Sequence, residues 1–195
     1  MKEIFKIVAV TAVFAVAAYA AATTMMLLST EDMALESDDI VRAQVIKIES
    51  KRDEAGEKFY TYTTLKALDW IKDGGARPEE FTVRQIGGTV EGMTQKVIGD
   101  AKFTEGEEAL LFLKHKSIEN NGGFYFLLGM SQTKFTVVND PNYGKILKRD
   151  IRELNLVRFD EKGTAAVSPP IATVAPIKLA DFIADIKRIL AQNNQ

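Results

Sequence analysis

Cysteine is absent from this 195-residue chain, and histidine occurs once, at His115. The first absence excludes disulfide staples, thiol nucleophiles and attachment of a lipid to cysteine. Together the two exclude a zinc or copper site assembled from His and Cys within one chain. A surplus of either charge is missing too: 25 Lys and Arg face 27 Asp and Glu. So near-neutral a balance offers no general attraction to nucleic acid or anionic lipid, which need clustered bases. No internal repeat, low-complexity tract or G-x-S-x-G elbow occurs, and no glycine run has the G-x-G-x-x-G order that opens a phosphate-binding helix. Neither Asp38-Asp39 nor Asn139-Asp140-Pro141-Asn142 has the spacing of an EF-hand calcium loop, so turn chemistry is expected at the second.

What is present begins with an address. A short charged start, Met1 to Lys6, runs into residues 7–28, which contain no charged residue. Small-x-small patterns at Ala18-Tyr19-Ala20 and Ala20-Ala21-Ala22 read as secretory cleavage sites, so residues 1–22 are expected to be a signal peptide and the working chain to start near Ala21 or Thr23. The expected location is periplasmic or secreted. The alternative is an uncleaved anchor in the inner membrane over residues 7–28, a run of adequate length for a span; only through this leader would the protein meet a membrane. The remainder suffices for one domain whose stability comes from packing.

After the leader, Ser29 or Thr30 can cap a short helix with acids in its first turn. Strand chemistry follows at residues 40–48 and 59–68, joined across a polar loop, then at 80–86, where Gly87-Gly88 stops it. Consecutive glycines there serve a positive φ or a close backbone approach. Residues 89–104 read as a long loop with a short strand near 95–98. The apolar run 109–113 has the length of a strand buried on both faces. Asn120-Asn121-Gly122-Gly123 signals a hairpin turn into a central strand at 124–129, and 134–138 completes the series. Residues 145–159 add edge structure, 161–177 form an extended linker, and 178–192 form an amphipathic C-terminal helix. The fold expected is mainly β: a small antiparallel OB-like barrel over residues 29–160, with a short N-terminal helix and the C-terminal helix.

Catalytic chemistry is thinly represented. His115 stands between two lysines and reads as a surface residue, since a catalytic base needs a positioned partner. Glu105 and Glu108 could serve an envelope hydrolase, but an acidic turn before a buried strand is more simply solvated, edge-protecting charge. No catalytic set, metal site or cofactor is assigned. The stronger candidates are aromatic. Tyr60 and Tyr62 share a face of a period-2 strand, Trp70 falls on the same parity if the strand continues, and Arg84 can join them, giving either a core layer or a ligand-stacking surface.

Several segments also carry a resemblance. Asp38-Asp39-Ile40-Val41-Arg42-Ala43-Gln44-Val45, Tyr62-Thr63-Thr64-Leu65-Lys66-Ala67-Leu68, Gly87-Gly88 and the stretch from Phe103 through Glu105-Gly106-Glu107-Glu108 to Leu113 resemble a group of exported bacterial proteins of unknown function. The same layout is similar to the OB-type barrel of tissue inhibitors of metalloproteinases and netrin-like modules. The resemblance implies a fold and an exported binding role. Those inhibitors chelate the protease zinc through an amino-terminal cysteine, which this chain lacks, so protease inhibition by that route is not implied and no site residue transfers. The function expected is a non-enzymatic binding module that takes a protein, peptide or glycan in the envelope, with no nucleic acid; a membrane-tethered structural protein is the remaining alternative.

Overall fold

The computed structural model describes residues 23–53, 55–75, 77–115, 123–159, 165–167 and 176–193. The leader expected at 1–22, most of the hairpin turn at 120–123 and most of the linker at 161–177 lie outside the described residues. Among the described residues the fold is mainly β with two α-helices.

In chain order the elements are β1 (Thr23–Met26), α1 (Thr30–Glu36), β2 (Asp39–Arg52), β3 (Phe59–Lys72), β4 (Glu80–Ile86), β5 (Gly88–Val90) and β6 (Met93–Gln95). Then come β7 (Glu108–Lys114), β8 (Phe126–Leu127), a 3₁₀ turn (Met130–Thr133), β9 (Lys134–Asp140), β10 (Gly144–Lys148), β11 (Leu154–Phe159), β12 (Ala165–Val167), β13 (Ile177–Lys178) and α2 (Leu179–Asn193). The main sheet runs β13-β10-β9-β7-β2-β3-β4, with β8 added to β7. Its ladders are antiparallel. β1 lies parallel to β11, which also pairs β12. One further contact matters for the site: Tyr125 N donates to Thr82 O and Arg84 N to Tyr125 O, both at 2.9 Å. Residues 125–127 therefore touch β4 on one side and β7 on the other, the two ends of the strip β7-β2-β3-β4.

The apolar run of β7 explains how one sheet serves two cores. Leu110 and Phe112 face a cluster completed by Met33, Ala34, Phe135, Phe182 and Ile186, so α1 and α2 cover that side. Ala109, Leu111 and Leu113 face a second cluster with Val41, Leu65, Phe81 and Val83. Each large apolar side chain buried this way contributes about 1.5–3 kcal/mol. The expectation of a strand buried on both faces is met. Ser29 is the cap of α1: its hydroxyl accepts from Asp32 N at 3.1 Å while Asp32 accepts from Ser29 N at 2.8 Å.

Three local expectations need correction. The strand read at 124–129 survives as the Tyr125 bridge and the two residues of β8, because Tyr125 pairs with β4 while Phe126 and Leu127 pair with β7. The short strand near 95–98 is instead a hairpin, β5 to β6, turned by Glu91 (φ 52°) and Gly92 (φ 79°), the double positive φ of a two-residue loop. And β3 runs on through Trp70 to Lys72, past the strand read at 59–68. Gly88 needs its missing side chain: at φ 135° a Cβ would press on the Ser50 and Thr61 hydroxyls.

Candidate functional site

β3 presents Tyr60 and Tyr62 on the outward face because Phe59, Thr63 and Leu65 point inward. The ladders then fix their neighbours. Tyr62 lies between Glu49 of β2 and Arg84 of β4, and Tyr60 between Lys51 and Ile86. Residues 124–126, docked on β4, add two more rings. The Arg84 guanidinium carbon sits 4.9 Å from the Tyr60 ring centroid, 5.2 Å from Phe124 and 5.2 Å from Phe126. Tyr62 meets Phe124 edge-on at 5.1 Å and Tyr60 at 6.5 Å, and the Lys51 ammonium stands 6.0 Å from the Tyr62 ring. All four rings and Arg84 are half-buried. Each cation over a ring contributes about 0.5–1 kcal/mol at such partly wet sites, so Arg84 is held in place by stacking as well as by its strand. Ile86 beside them is 55% exposed.

Of the four residues singled out in the sequence, the structure brings together Tyr60, Tyr62 and Arg84 and sends Trp70 elsewhere. Trp70 packs in the second core against Phe81 at 5.4 Å and Tyr125 at 6.3 Å. The cause is a bulge. Ala67 pairs with Ala43 and Asp69 with Arg42, which leaves Leu68 without a partner in the ladder and turns the parity of Asp69 and Trp70.

A second cluster escaped sequence reasoning. His115, at the end of β7, places Nε2 3.3 Å from Oδ2 of Asp39, which is 1% exposed, though without the alignment of a hydrogen bond. Asp39 Oδ1 accepts from Gly74 N at 2.8 Å. Gly74 leaves the room, since a Cβ there would lie 2.6 Å from His115 Nε2. The Tyr125 ring stands edge-on to the imidazole at 6.0 Å. Burial pushes the Asp39 carboxyl above its ordinary range, and burial with the neighbouring Asp39 charge does the same to the Tyr125 phenol. Asp38 behaves oppositely: burial works to raise it, but bonds from Lys114 Nζ and His115 N at 2.9 and 3.0 Å outweigh that and hold it low. Among the described residues no hydroxyl bonds to the imidazole. The signal was the Asp38-Asp39 pair opening β2, but nothing local ties it to a residue 76 positions away.

The carboxylates considered for hydrolysis are engaged structurally. Glu108 receives Lys145 at 2.6 Å and Arg42 at 3.0 Å, which overcome the opposing effect of burial and keep it low; Glu105 accepts from Ile48 N at 3.0 Å. Asp140 accepts from the backbone N–H of Asn142 and Tyr143, the turn expected there. Among the described residues no three His, Asp or Glu side chains stand close enough to hold a metal ion, and no helix is long and apolar enough to cross a membrane. Compared with known proteins, the chain matches no family model and no curated protein sequence.

Proposed function

We propose that this chain is an exported, non-enzymatic binding module on an OB-like barrel, and that it takes an acidic polypeptide partner in the envelope on the outer face of β2, β3 and β4. The observation that carries the reading is the Arg84 guanidinium stacked among Tyr60, Phe124 and Phe126 on a face turned away from both cores. Aromatic rings with an arginine form the side-chain set enriched at the energetic centres of protein interfaces. Lys47, Lys51 and Arg84 oppose Glu49 on this face, and Lys47 and Lys51 are well exposed, so the rim is net cationic. That favours a partner carrying Asp and Glu.

Support for the barrel comes from residues 125–127, which bond to β4, the free edge of the main sheet, and to the end of β7, three strands away. The apolar run and cleavage patterns of residues 7–22 support export, and with it a partner in the envelope.

The test is titration of the purified protein with peptides rich in Asp and Glu, with basic peptides and with neutral oligosaccharides, read by amide chemical shifts. The acidic peptides are expected to move signals from residues 60–62 and 84–86, with affinity falling as salt rises. Tyr62→Ser and Arg84→Gln are each expected to weaken binding at least tenfold, and Leu35→Ser, far from the face, to leave it unchanged. Binding by oligosaccharides alone, or equal binding by the variants, overturns the reading.

A further inference from the structure

Away from the aromatic face, a hollow of about 160 Å³ opens between the loop of residues 100–107, the 3₁₀ turn and β9. It is well below the ~300–1,000 Å³ of sites for drug-sized molecules, so only a very small ligand fits. Its wall is polar, built from Asp100, Lys102, Glu107, Ser131, Lys134 and Thr136.

Lys134 is the unusual member. Its side chain is 8% exposed, with Nζ 2.7 Å from Glu107 Oε1 and 3.1 Å from Thr136 Oγ1, standing 5.0 Å from the Phe103 ring. An ammonium carries three N–H donors, and these two oxygens take two of them. Burying such a pair yields little or no net stability, because desolvation offsets the attraction, so stability alone does not account for it. Asp100 is the complement. Its Oδ1 accepts from Ala101 N at 2.8 Å and the Gln85 side chain also bonds to the carboxyl, but among the described residues no basic side chain pairs with it. Elsewhere on the wall Arg152 matches Asp150 at 2.8 Å, while Lys102 shares the Glu153 carboxylate with Lys96 at 3.2 and 2.9 Å, two ammoniums on one carboxylate.

We propose that this hollow binds a free amino acid, its ammonium at Asp100 and its carboxylate at Lys134, Lys102 and Ser131. The wall offers an acid without a cation together with a buried cation that retains a donor, and a zwitterion answers both. A simple anion meets Asp100 and Glu107, and a metal ion finds no three converging carboxylates among the described residues. An apolar molecule would leave every charge of the wall desolvated and unanswered.

Titration of the purified protein with glycine and alanine, followed by amide shifts, tests this directly. Saturable shifts are expected at residues 100–102 and 131–136. Glycine methyl ester, which lacks the carboxylate, and N-acetylglycine, which lacks the ammonium, are each expected to bind at least tenfold more weakly. Asp100→Asn is expected to weaken glycine at least tenfold with amide dispersion retained and a melting temperature no lower than the parent's, and Lys102→Met, at an exposed position, several-fold. Failure to saturate at millimolar glycine overturns the proposal. So does an ester that binds as tightly as glycine, or an Asp100→Asn protein that binds unchanged. None of these outcomes bears on the aromatic face, so the two proposals stand or fall separately.

Discussion

At the scale of single residues, two polar groups in this fold have opposite consequences for stability. Thr63 is fully buried on the inner face of β3, and among the described residues its hydroxyl finds no hydrogen-bond partner. Leaving a buried hydroxyl unpaired costs about 1–3 kcal/mol, whereas an apolar group of the same shape carries no such cost. Thr63→Val is therefore expected to stabilise the protein by roughly 1 kcal/mol, read as a higher urea midpoint at unchanged slope. Lys72 is the converse. Its ammonium donates to the carbonyl oxygens of Ala34, Leu35 and Ser37 at 3.0, 3.1 and 2.6 Å, closing the end of α1, whose last turn has no base of its own. Lys72→Met keeps much of the apolar stem and removes all three donors. It is expected to cost roughly 1–2 kcal/mol in the same unfolding measurement, as for loss of a partly buried cation at a helix C-terminus.

At the scale of elements, legibility followed from whether the deciding contact was local. β7 announced itself because five successive apolar residues admit only burial on both faces. β2, β3 and β4 were found at their centres through β-branched and aromatic content, and α2 through its apolar stripe. The end of β2 at Glu49–Arg52 was missed because it is polar, and the end of β3 at Asp69–Lys72 because register shifts break its alternation against β2. The site was half legible for the same reason. Tyr60 and Tyr62 obey strict alternation, but Trp70 lies beyond a bulge that no composition marks, and Phe124 joins the face only because Tyr125 docks on β4. The bulge is itself testable. Ala67 and Trp70 both face the second core, while Leu68 is 41% exposed. Deleting Leu68 leaves Asp69 as the single residue between Ala67 and Trp70 and restores simple alternation. The variant is expected to fold with Trp70 still buried and its emission still blue, whereas deleting Leu68 and Asp69 together is expected to turn Trp70 to solvent and shift emission red. Red-shifted emission in the single deletion would show that the bulge does not set the parity.

At the scale of the whole molecule, carboxylates of two kinds give stability an uneven response to acid. Bonds from Lys96 and Lys102 draw Glu153 down from an ordinary 4.5 to about 2, and Arg152 draws Asp150 from 3.8 to about 2. These groups have depressed values in the folded state, so their contribution is complete above the unfolded values and is lost as pH falls toward 2. Burial raises Asp100 and Asp39 above 3.8, which reverses the sign. The folded state binds their protons more readily than the unfolded chain does, so they disfavour folding at neutral pH, and the penalty is relieved as pH falls through their raised values. Mild acidification is thus expected to stabilise the protein before stronger acid unfolds it. Two variants separate the contributions. Asp100→Asn is expected to exceed the parent in stability at neutral pH, the difference shrinking as pH falls through the raised value of Asp100 and closing below 3.8, where the carboxyl is neutral in folded and unfolded chain alike. Glu153→Gln is expected to be less stable at neutral pH, the deficit shrinking as pH falls below 4.5 and gone near pH 2. Urea unfolding across the acid range measures both, and a constant difference between parent and Asp100→Asn at every pH would mean that the Asp100 carboxyl is not held above its ordinary range.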